Sequence, residues 1–341
     1  MWTSIPVRLM GLCLCLVVTV QAHAQDPHFT QFFASPLTLN PANTGLFSGI
    51  GRIAANYRSQ WGSIATPFVT GTVSADFQLL PGIIPANDIF GVGGLLLYDE
   101  TGGGGLKTEY AAVSAAYHKA LDMDGNITLG VGGQLAVVQK RIDFSKLVFE
   151  DQLTSNGFDP TLPSGEYIPN ASITYPDYDV GLIYNQLIGQ WSSFYAGLSY
   201  YHISQPHESF LGANYHLHSR FTAHGGGVIG FNASSGVYLS GLFMKQGSAT
   251  EIALGGAIGL LVNGIPETPT VLYIGSWYRY RDAVNPYVGL QVNNLQVGIS
   301  YDVNTSSLQA ASLHRGGMEI SLIYTYPPPG PNLKRYKCPK F

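Results

Sequence analysis

Alternation of apolar and polar residues with a period of two constrains the fold of this chain more than any other feature. From about residue 49 onward it recurs in about fourteen segments of roughly 9 to 15 residues, separated by clusters of Gly, Asn, Asp, Pro and Ser. In one segment Val297, Ile299 and Tyr301 share a face, while Ser300 and Asp302 share the other. Such segments predict β-strands that face an apolar medium on one side and water on the other.

Composition narrows the class of β protein. Only 11% of the 341 residues are charged and 12% are aromatic, whereas soluble domains average about 25% charged residues. No apolar run approaches the roughly 20 residues that a membrane-spanning helix needs, which excludes a helical membrane protein. Lys and Arg cluster only at residues 334–337, so no nucleic-acid partner is expected. A β-sandwich array and a closed transmembrane β-barrel remain.

The lengths of the connections decide between these two architectures. The odd-numbered connections include the three longest, at 141–176, 203–216 and 304–313. The even-numbered ones are mostly tight turns, such as 122–125 and 232–235, with two exceptions of moderate length. Outer-membrane barrels combine an even strand count with short periplasmic turns and long outer loops. We therefore predict an all-β fold, a transmembrane antiparallel β-barrel of about 14 strands in the outer membrane.

The flanking segments are assigned from their local composition. Residues 1–24 contain a basic residue, a short apolar run and an Ala-x-Ala motif, which predicts a secretory signal peptide. Residues 25–48 are expected to form an extended periplasmic segment that enters or caps the lumen of a barrel spanning 49–326. Residues 327–341 are expected to form a periplasmic tail, where Cys338 is the only cysteine left after processing, so no intrachain disulfide is expected.

Some side chains can be oriented from the strand pattern alone. Arg52 and Arg58 fall on the water-facing side of the first strand with Asn56, and they are expected to pair with acidic neighbours such as Asp76 or Glu109. Aromatic residues near strand ends are expected to form girdles at the membrane interfaces. These are Tyr57, Trp61, Tyr98, Trp191, Trp277 and Tyr280.

Catalytic and metal sites find little support in the sequence. One cluster offers a base and a nucleophile, without any recognisable nucleophile motif. Its members are His202, His207, Glu208 and Ser209. His216 and His218 share a strand face but lack an evident third metal ligand. The glycine run at 102–105 does not lead from a strand into a helix, as a phosphate-binding loop does. We therefore predict no catalytic residues, no metal site and no cofactor.

An ordered series of motifs runs through the predicted mature chain. The motifs are QDPHFTQFFASP (25–36), LNPA (39–42), YRSQW (57–61), FEDQ (149–152), WYRYRDA (277–283), GISYDVN (298–304) and GGMEISL (316–322). The series resembles the PorP/SprF family, whose members are outer-membrane components associated with type IX secretion and gliding motility in the Bacteroidota.

The resemblance implies two kinds of partner. One is the type IX secretion machinery, and the other is a large secreted surface protein recognised through its C-terminal signal domain. Positions in the family motifs give the predicted partner-binding residues. They are Asp26, Pro27, Phe29, Gln31, Asn40, Pro41, Tyr57, Arg58, Gln60, Trp61, Asp151 and Gln152.

Two functions from different classes follow. The first is a non-catalytic outer-membrane component that aids secretion or surface attachment of adhesin-like cargo by binding it. The alternative is an outer-membrane channel or hydrophobic-substrate transporter, plugged by its N-terminal segment. The long connection at 141–176 fits either function, as a constriction in the lumen or as a surface for an exported protein, and these two uses stay open.

Overall fold

A closed antiparallel β-barrel of fourteen strands forms the body of the molecule. The computed structural model describes residues 26–103, 105–159, 161–165, 171–210, 212, 214–232, 235–263 and 269–327. The barrel strands are β1 (Gly51–Gln60), β2 (Phe68–Leu79), β3 (Ile89–Thr101), β4 (Leu106–Ala120), β5 (Ile127–Ile142), β8 (Ser172–Ile188), β9 (Ser192–Tyr201), β10 (Arg220–Gly230), β11 (Gly236–Gln246), β12 (Ala249–Asn263), β13 (Thr270–Arg279), β14 (Ala283–Val292), β15 (Leu295–Asn304) and β16 (Arg315–Tyr326). The predicted fold class is confirmed. The predicted signal peptide and nearly all of the C-terminal tail, including Cys338, lie outside the described residues.

Each barrel strand pairs with its neighbours along the chain, and β1 pairs with β16 to close the sheet. Two very short strands, β6 (Leu153–Thr154) and β7 (Gly157–Phe158), pair in the connection after β5. The short helices are Phe32–Ala34, Pro36–Leu39, Pro41–Asn43, Phe144–Lys146, Glu150–Gln152 and Gln309–Ser312. No helix among the described residues is long and apolar enough to cross a membrane.

The alternating residues of each strand point in turn into the lumen and away from the barrel. In β14 every second residue is buried, and the inward Asn285 and Tyr287 are each 1% exposed. The outward Val288 is 54% exposed because it faces the surroundings of the barrel. Closure leaves no unpaired strand edge, which a sheet in the hydrocarbon layer requires.

The two ends of the barrel differ in their connections. At the end where β1 begins, the connections are short, such as 121–126 and 189–191, and we refer to this as the turn end. The opposite end, the loop end, carries the three longest connections, at 143–171, 202–219 and 305–314. This sorting of long and short connections agrees with the sequence prediction.

Four of the six residues predicted to form the aromatic girdles face outward, and one does not. Tyr57, Tyr98, Trp191 and Tyr280 are all at least 38% exposed. Trp277, however, points into the lumen and is only 2% exposed. It lies on the inward face of β13, where it packs against an aromatic residue of the N-terminal segment.

Candidate functional site: the lumen segment and the loop end

Residues 26–47, here named the lumen segment, run through the barrel from the loop end to the turn end. Asp26 donates its backbone N–H to Gln246, the last residue of β11, over 2.9 Å. At the other end the side chain of Gln78 in β2 donates to the carbonyl of Phe47 over 2.9 Å. The sequence argument placed this segment beside the start of β1, so it did not anticipate that the segment begins at the loop end.

Short helical turns make the lumen segment compact, whereas the sequence predicted an extended chain. Pro36 and Pro41 each occupy the first turn of a helix, where the missing N–H costs no hydrogen bond. The side chain of Asn40 caps the second of these turns by accepting from the N–H of Ala42 over 2.8 Å. The prolines therefore start helical turns here instead of preventing them.

Apolar side chains of the lumen segment fill the space between the walls. Phe33 packs against Trp277 with ring centroids 4.8 Å apart, and Leu37 is fully buried. The barrel wall has a glycine, Gly132, where the lumen segment approaches it closely. A Cβ at this position would lie 2.6 Å from the backbone of Pro41 and Ala42. The lumen is thus occupied by the chain itself.

A buried network of charges fixes the segment to β1, β13, β15 and β16. Glu319 accepts from the backbone N–H groups of Thr30 and Gln31, over 2.7 and 2.9 Å. Asp302 lies between two arginines, 2.7 Å from Arg58 and 2.7 Å from Arg279. Since these charges are withdrawn from water, removal of one partner is expected to cost about 3–5 kcal/mol.

A second cluster, here named the Asp26 latch, holds the segment at the loop end. One carboxylate oxygen of Asp26 lies 2.6 Å from Nε2 of His202 and 3.0 Å from Arg220. The other ring nitrogen of His202 lies 2.6 Å from Asp177. Although burial opposes the charge, the nearby Asp26 carboxylate and the hydrogen bond to Asp177 raise the pKa of His202 to about 10. Burial also opposes ionisation of Asp26, but His202 and Arg220 hold the pKa of Asp26 well below its usual range.

Part of the latch has the composition of a metal site, because ligand atoms of Asp177, Asp179 and His202 all lie within 4.8 Å of one another. Both ring nitrogens of His202 are, however, already engaged by the carboxylates of Asp26 and Asp177. The group therefore acts as an ion-pair network.

At the turn end, Arg52 closes the lumen segment onto the wall. It lies 2.8 Å from Asp76 and donates to the carbonyl of Asn43 over 3.0 Å. Asp76 in turn accepts from the N–H of Gly45 over 2.8 Å. The predicted pairing of Arg52 with Asp76 is therefore confirmed.

Arg58 does not pair with either of the acidic residues named from the sequence. Arg58 does point inward, but it contacts Asp302 and Glu319. Glu109 faces outward and pairs with Arg141 over 3.0 Å. The difference arises because β1 closes against β16, which brings distant acidic residues next to Arg58.

The connection at 202–219 covers part of the lumen mouth. Its Leu217 is 4% exposed and packs against Val138 and Tyr175, while Glu208 lies 2.6 Å from Lys140 of β5. The described residues of the longer connection at 143–171 stay outside the lumen. Its side chains are mostly exposed, with Val148 at 52% and Phe158 at 53%. Of the two uses left open for the latter, the structure favours a surface.

The predicted partner-binding residues separate into four environments. Phe29, Gln31, Asn40, Pro41 and Arg58 are buried, where they hold the lumen segment. Tyr57 points outward from the barrel, and Gln152 is 7% exposed because it folds its own loop by bonding to Phe149 and Leu162. The remaining residues lie at the loop end with partial or full exposure. They are Asp26, Pro27, Gln60, Trp61 and Asp151.

The strongest anchors escaped the sequence prediction. Asp177, Arg220, Arg279, Asp302 and Glu319 were not singled out. A signal was present, since three of them are charged residues on the water-facing side of strands inside the quoted motifs. What the sequence lacked was the barrel closure that places them around one segment.

The tentative hydrolytic cluster is not assembled. His202 gives both ring nitrogens to carboxylates, and Glu208 holds Lys140. His207 lies opposite His216, with ring centroids 5.5 Å apart. Ser219 donates to the backbone carbonyl of His202 over 3.1 Å, not to its ring.

Comparison with known families gives a clear assignment. The model of the type IX secretion system membrane protein PorP/SprF matches residues 21–324. The chain belongs to the PorP/SprF family. Together with the closed barrel, this membership makes the protein an outer-membrane component of type IX secretion. No curated protein sequence matches the chain.

Solved structures share only the barrel fold with this PorP/SprF protein. The toluene transporter TbuX of Ralstonia pickettii is 11% identical, with a TM-score of 0.46, over 86% of this chain and 94% of that one. A FadL homologue of Pseudomonas aeruginosa is 10% identical, with a TM-score of 0.43, over 84% and 93%. The KdgM porin is 9% identical, with a TM-score of 0.40, over 81% and 99%.

Proposed function

We propose that this PorP/SprF protein is a non-catalytic docking component that holds a large secreted surface protein at its loop end. The cargo is bound through its C-terminal signal domain, while the turn end faces the secretion machinery in the periplasm. One observation carries this proposal. The lumen is filled by a segment that charged networks anchor at both ends, so a partner meets the rim and loops instead of an open pore.

The chemistry of the loop end supports binding. Exposed apolar side chains stand on connections outside the barrel wall, including Ile64, Val148, Phe158 and Leu313, which is 70% exposed. Exposed apolar groups rimmed by polar residues are typical of protein interaction sites. Asp151 lies among them, on the loop at 143–171.

Affinity capture tests the proposal directly. Tagged protein is purified from detergent-solubilised outer membranes, and accompanying proteins are identified by mass spectrometry. The expected result is a large surface protein together with type IX components. A variant in which a short Gly-Ser linker replaces 143–171 should lose the surface protein and keep the machinery. A matched variant with the equivalent replacement of 305–314 shows whether the loss is specific to the longer loop.

A clean, partner-free barrel would contradict the proposal and favour the channel. In that case deletion of 26–43 should raise ion conductance in planar bilayers, because the lumen would lose its filling. Wild-type protein that captures partners and does not conduct, whether or not the deletion variant conducts, would support the docking function.

A further inference from the structure

The cationic groups around Asp26 form a preorganised receptor for a carboxylate. We infer that His202, Arg220 and Gln246 make up a carboxylate-binding site that Asp26 occupies in cis, and that a carboxylate of the docked partner takes when it displaces Asp26. The partner half of this inference rests on the proposed function. The site itself rests on geometry alone.

Three donors converge on the carboxylate. Oδ2 of Asp26 accepts from Nε2 of His202 over 2.6 Å and from Arg220 over 3.0 Å, and Oδ1 accepts from Gln246 over 3.2 Å. The contacts of His202 and Arg220 with this carboxylate are charge-assisted, which makes them stronger than the contact with the neutral amide of Gln246. The site therefore recognises a carboxylate by both charge and direction.

The donors are held in place by groups other than Asp26. Asp177 fixes the His202 ring from its other nitrogen over 2.6 Å. Arg220 also donates to the carbonyl of Thr38 over 3.2 Å, and its guanidinium lies 4.1 Å from the ring centroid of Tyr201. Removal of Asp26 would consequently leave the receptor standing but without its anion.

Asp26 does not use the full capacity of the site. Nε of Arg220 is buried, and no hydrogen-bond partner lies within its reach among the described residues. Asp26 contacts the guanidinium through Nη1 only, and Nη2 donates to Thr38. A carboxylate that also reached Nε would gain a hydrogen bond that Asp26 does not make, so it can compete with Asp26.

The site also opens toward the loop end. The side chain of Asp26 is 17% exposed, more than those of His202 at 6% and Arg220 at 9%. The bound carboxylate is therefore the most exposed member of the cluster.

Acetate is the probe that tests the site without any partner. Full-length Asp26→Ala protein, folded in detergent, is melted in increasing acetate and, separately, in chloride at equal ionic strength. Acetate should raise the melting temperature of this variant with half-saturation on the order of 10 mM, as for a single charged contact. Wild-type protein should not respond, and Asp26→Ala combined with Arg220→Met should not respond either.

Equal effects of acetate and chloride on Asp26→Ala would overturn the inference. If that variant does not fold, Asp26→Asn keeps the shape of the side chain and removes its charge. Acetate should then displace the amide and speed maleimide labelling of a Pro27→Cys substitution about tenfold in a chain that also carries Cys338→Ser, while chloride leaves it unchanged. An unchanged labelling rate would refute the site in this form as well.

Two further ligands separate the sources of the carboxylate. N-acetylglycine carries a carboxylate like that of a chain terminus, and N-acetylaspartic acid amide carries a side-chain carboxylate. Stabilisation of Asp26→Ala by only one of them identifies which the site accepts. Since no partner takes part, failure of the capture experiment leaves this site intact, and failure of acetate binding leaves the docking function intact.

Discussion

Replacement of Glu319 by glutamine should loosen one end of the lumen segment and leave the barrel closed. The carboxylate is 1% exposed and accepts from two backbone N–H groups, those of Thr30 and Gln31. An amide of the same shape offers one oxygen and one NH₂, so it can accept from only one of the two. The other N–H would then face a donor.

The magnitude follows from these two hydrogen bonds. Loss of one charge-assisted bond and burial of one unsatisfied donor together cost about 3 kcal/mol, within the usual range of each effect. At about 1.4 kcal/mol for each tenfold change in an equilibrium constant, opening of residues 30–31 should become about 100-fold more frequent.

Hydrogen exchange measured by mass spectrometry reports this opening. Peptides covering residues 28–36 should lose about two orders of magnitude of protection in Glu319→Gln. Peptides from 43–47 should stay protected, because Arg52 and Asp76 hold them independently. Glu208→Gln is the matched control, since its carboxylate contacts Lys140 and Tyr175 but not the segment. Unchanged protection at 28–36 would refute the role given to Glu319, and equal loss at both sites would show that the segment opens as one unit.

Three other outcomes are expected. Gly132→Ala should displace the lumen segment and raise bilayer conductance. Gly133→Ala should not, because its Cβ would have no atom closer than 3.9 Å. Equal conductance of the two variants would disprove the close fit of the segment at Gly132. Because the pKa of His202 is raised from 6.5 to about 10, its stabilisation is complete below pH 6.5 and declines as pH rises toward 10, so the melting temperature should fall over that range in wild type but not in His202→Gln. In a chain that carries Cys338→Ser, Phe158→Cys should react with an impermeant maleimide on intact cells, and Met123→Cys only after the outer membrane is opened. The reverse pattern would invert the assigned orientation.

The barrel could be predicted from the strand pattern because this pattern involves only residues close together in the sequence. Alternation in segments such as 295–303 fixes which side chains share a face, and connection lengths fix which strands are joined by turns. The inward direction of Arg52 and Arg58 follows from the same rule. Errors at this level are confined to residues such as Trp277, whose type suits both the membrane interface and a packed lumen.

The anchors of the lumen segment depend on closure and could not be predicted in the same way. Glu319 is separated from Thr30 by 289 positions, and no local pattern brings them together. His202 was noticed for its chemistry, but its partners Asp26 and Asp177 lie in other parts of the chain. The prolines of the segment predict an extended chain because proline opposes the interior of a helix, whereas Pro36 and Pro41 begin helical turns.

The position of the lumen segment also bears on the order of events in assembly. The segment precedes β1 in the chain, and β1 forms the closing seam with β16, the last strand. Both facts are satisfied if the sheet folds around the segment and β1 pairs with β16 last, because the segment then does not have to enter a closed barrel. The segment would act as a template for barrel closure, and weaker anchors would slow barrel assembly before they altered the mature protein.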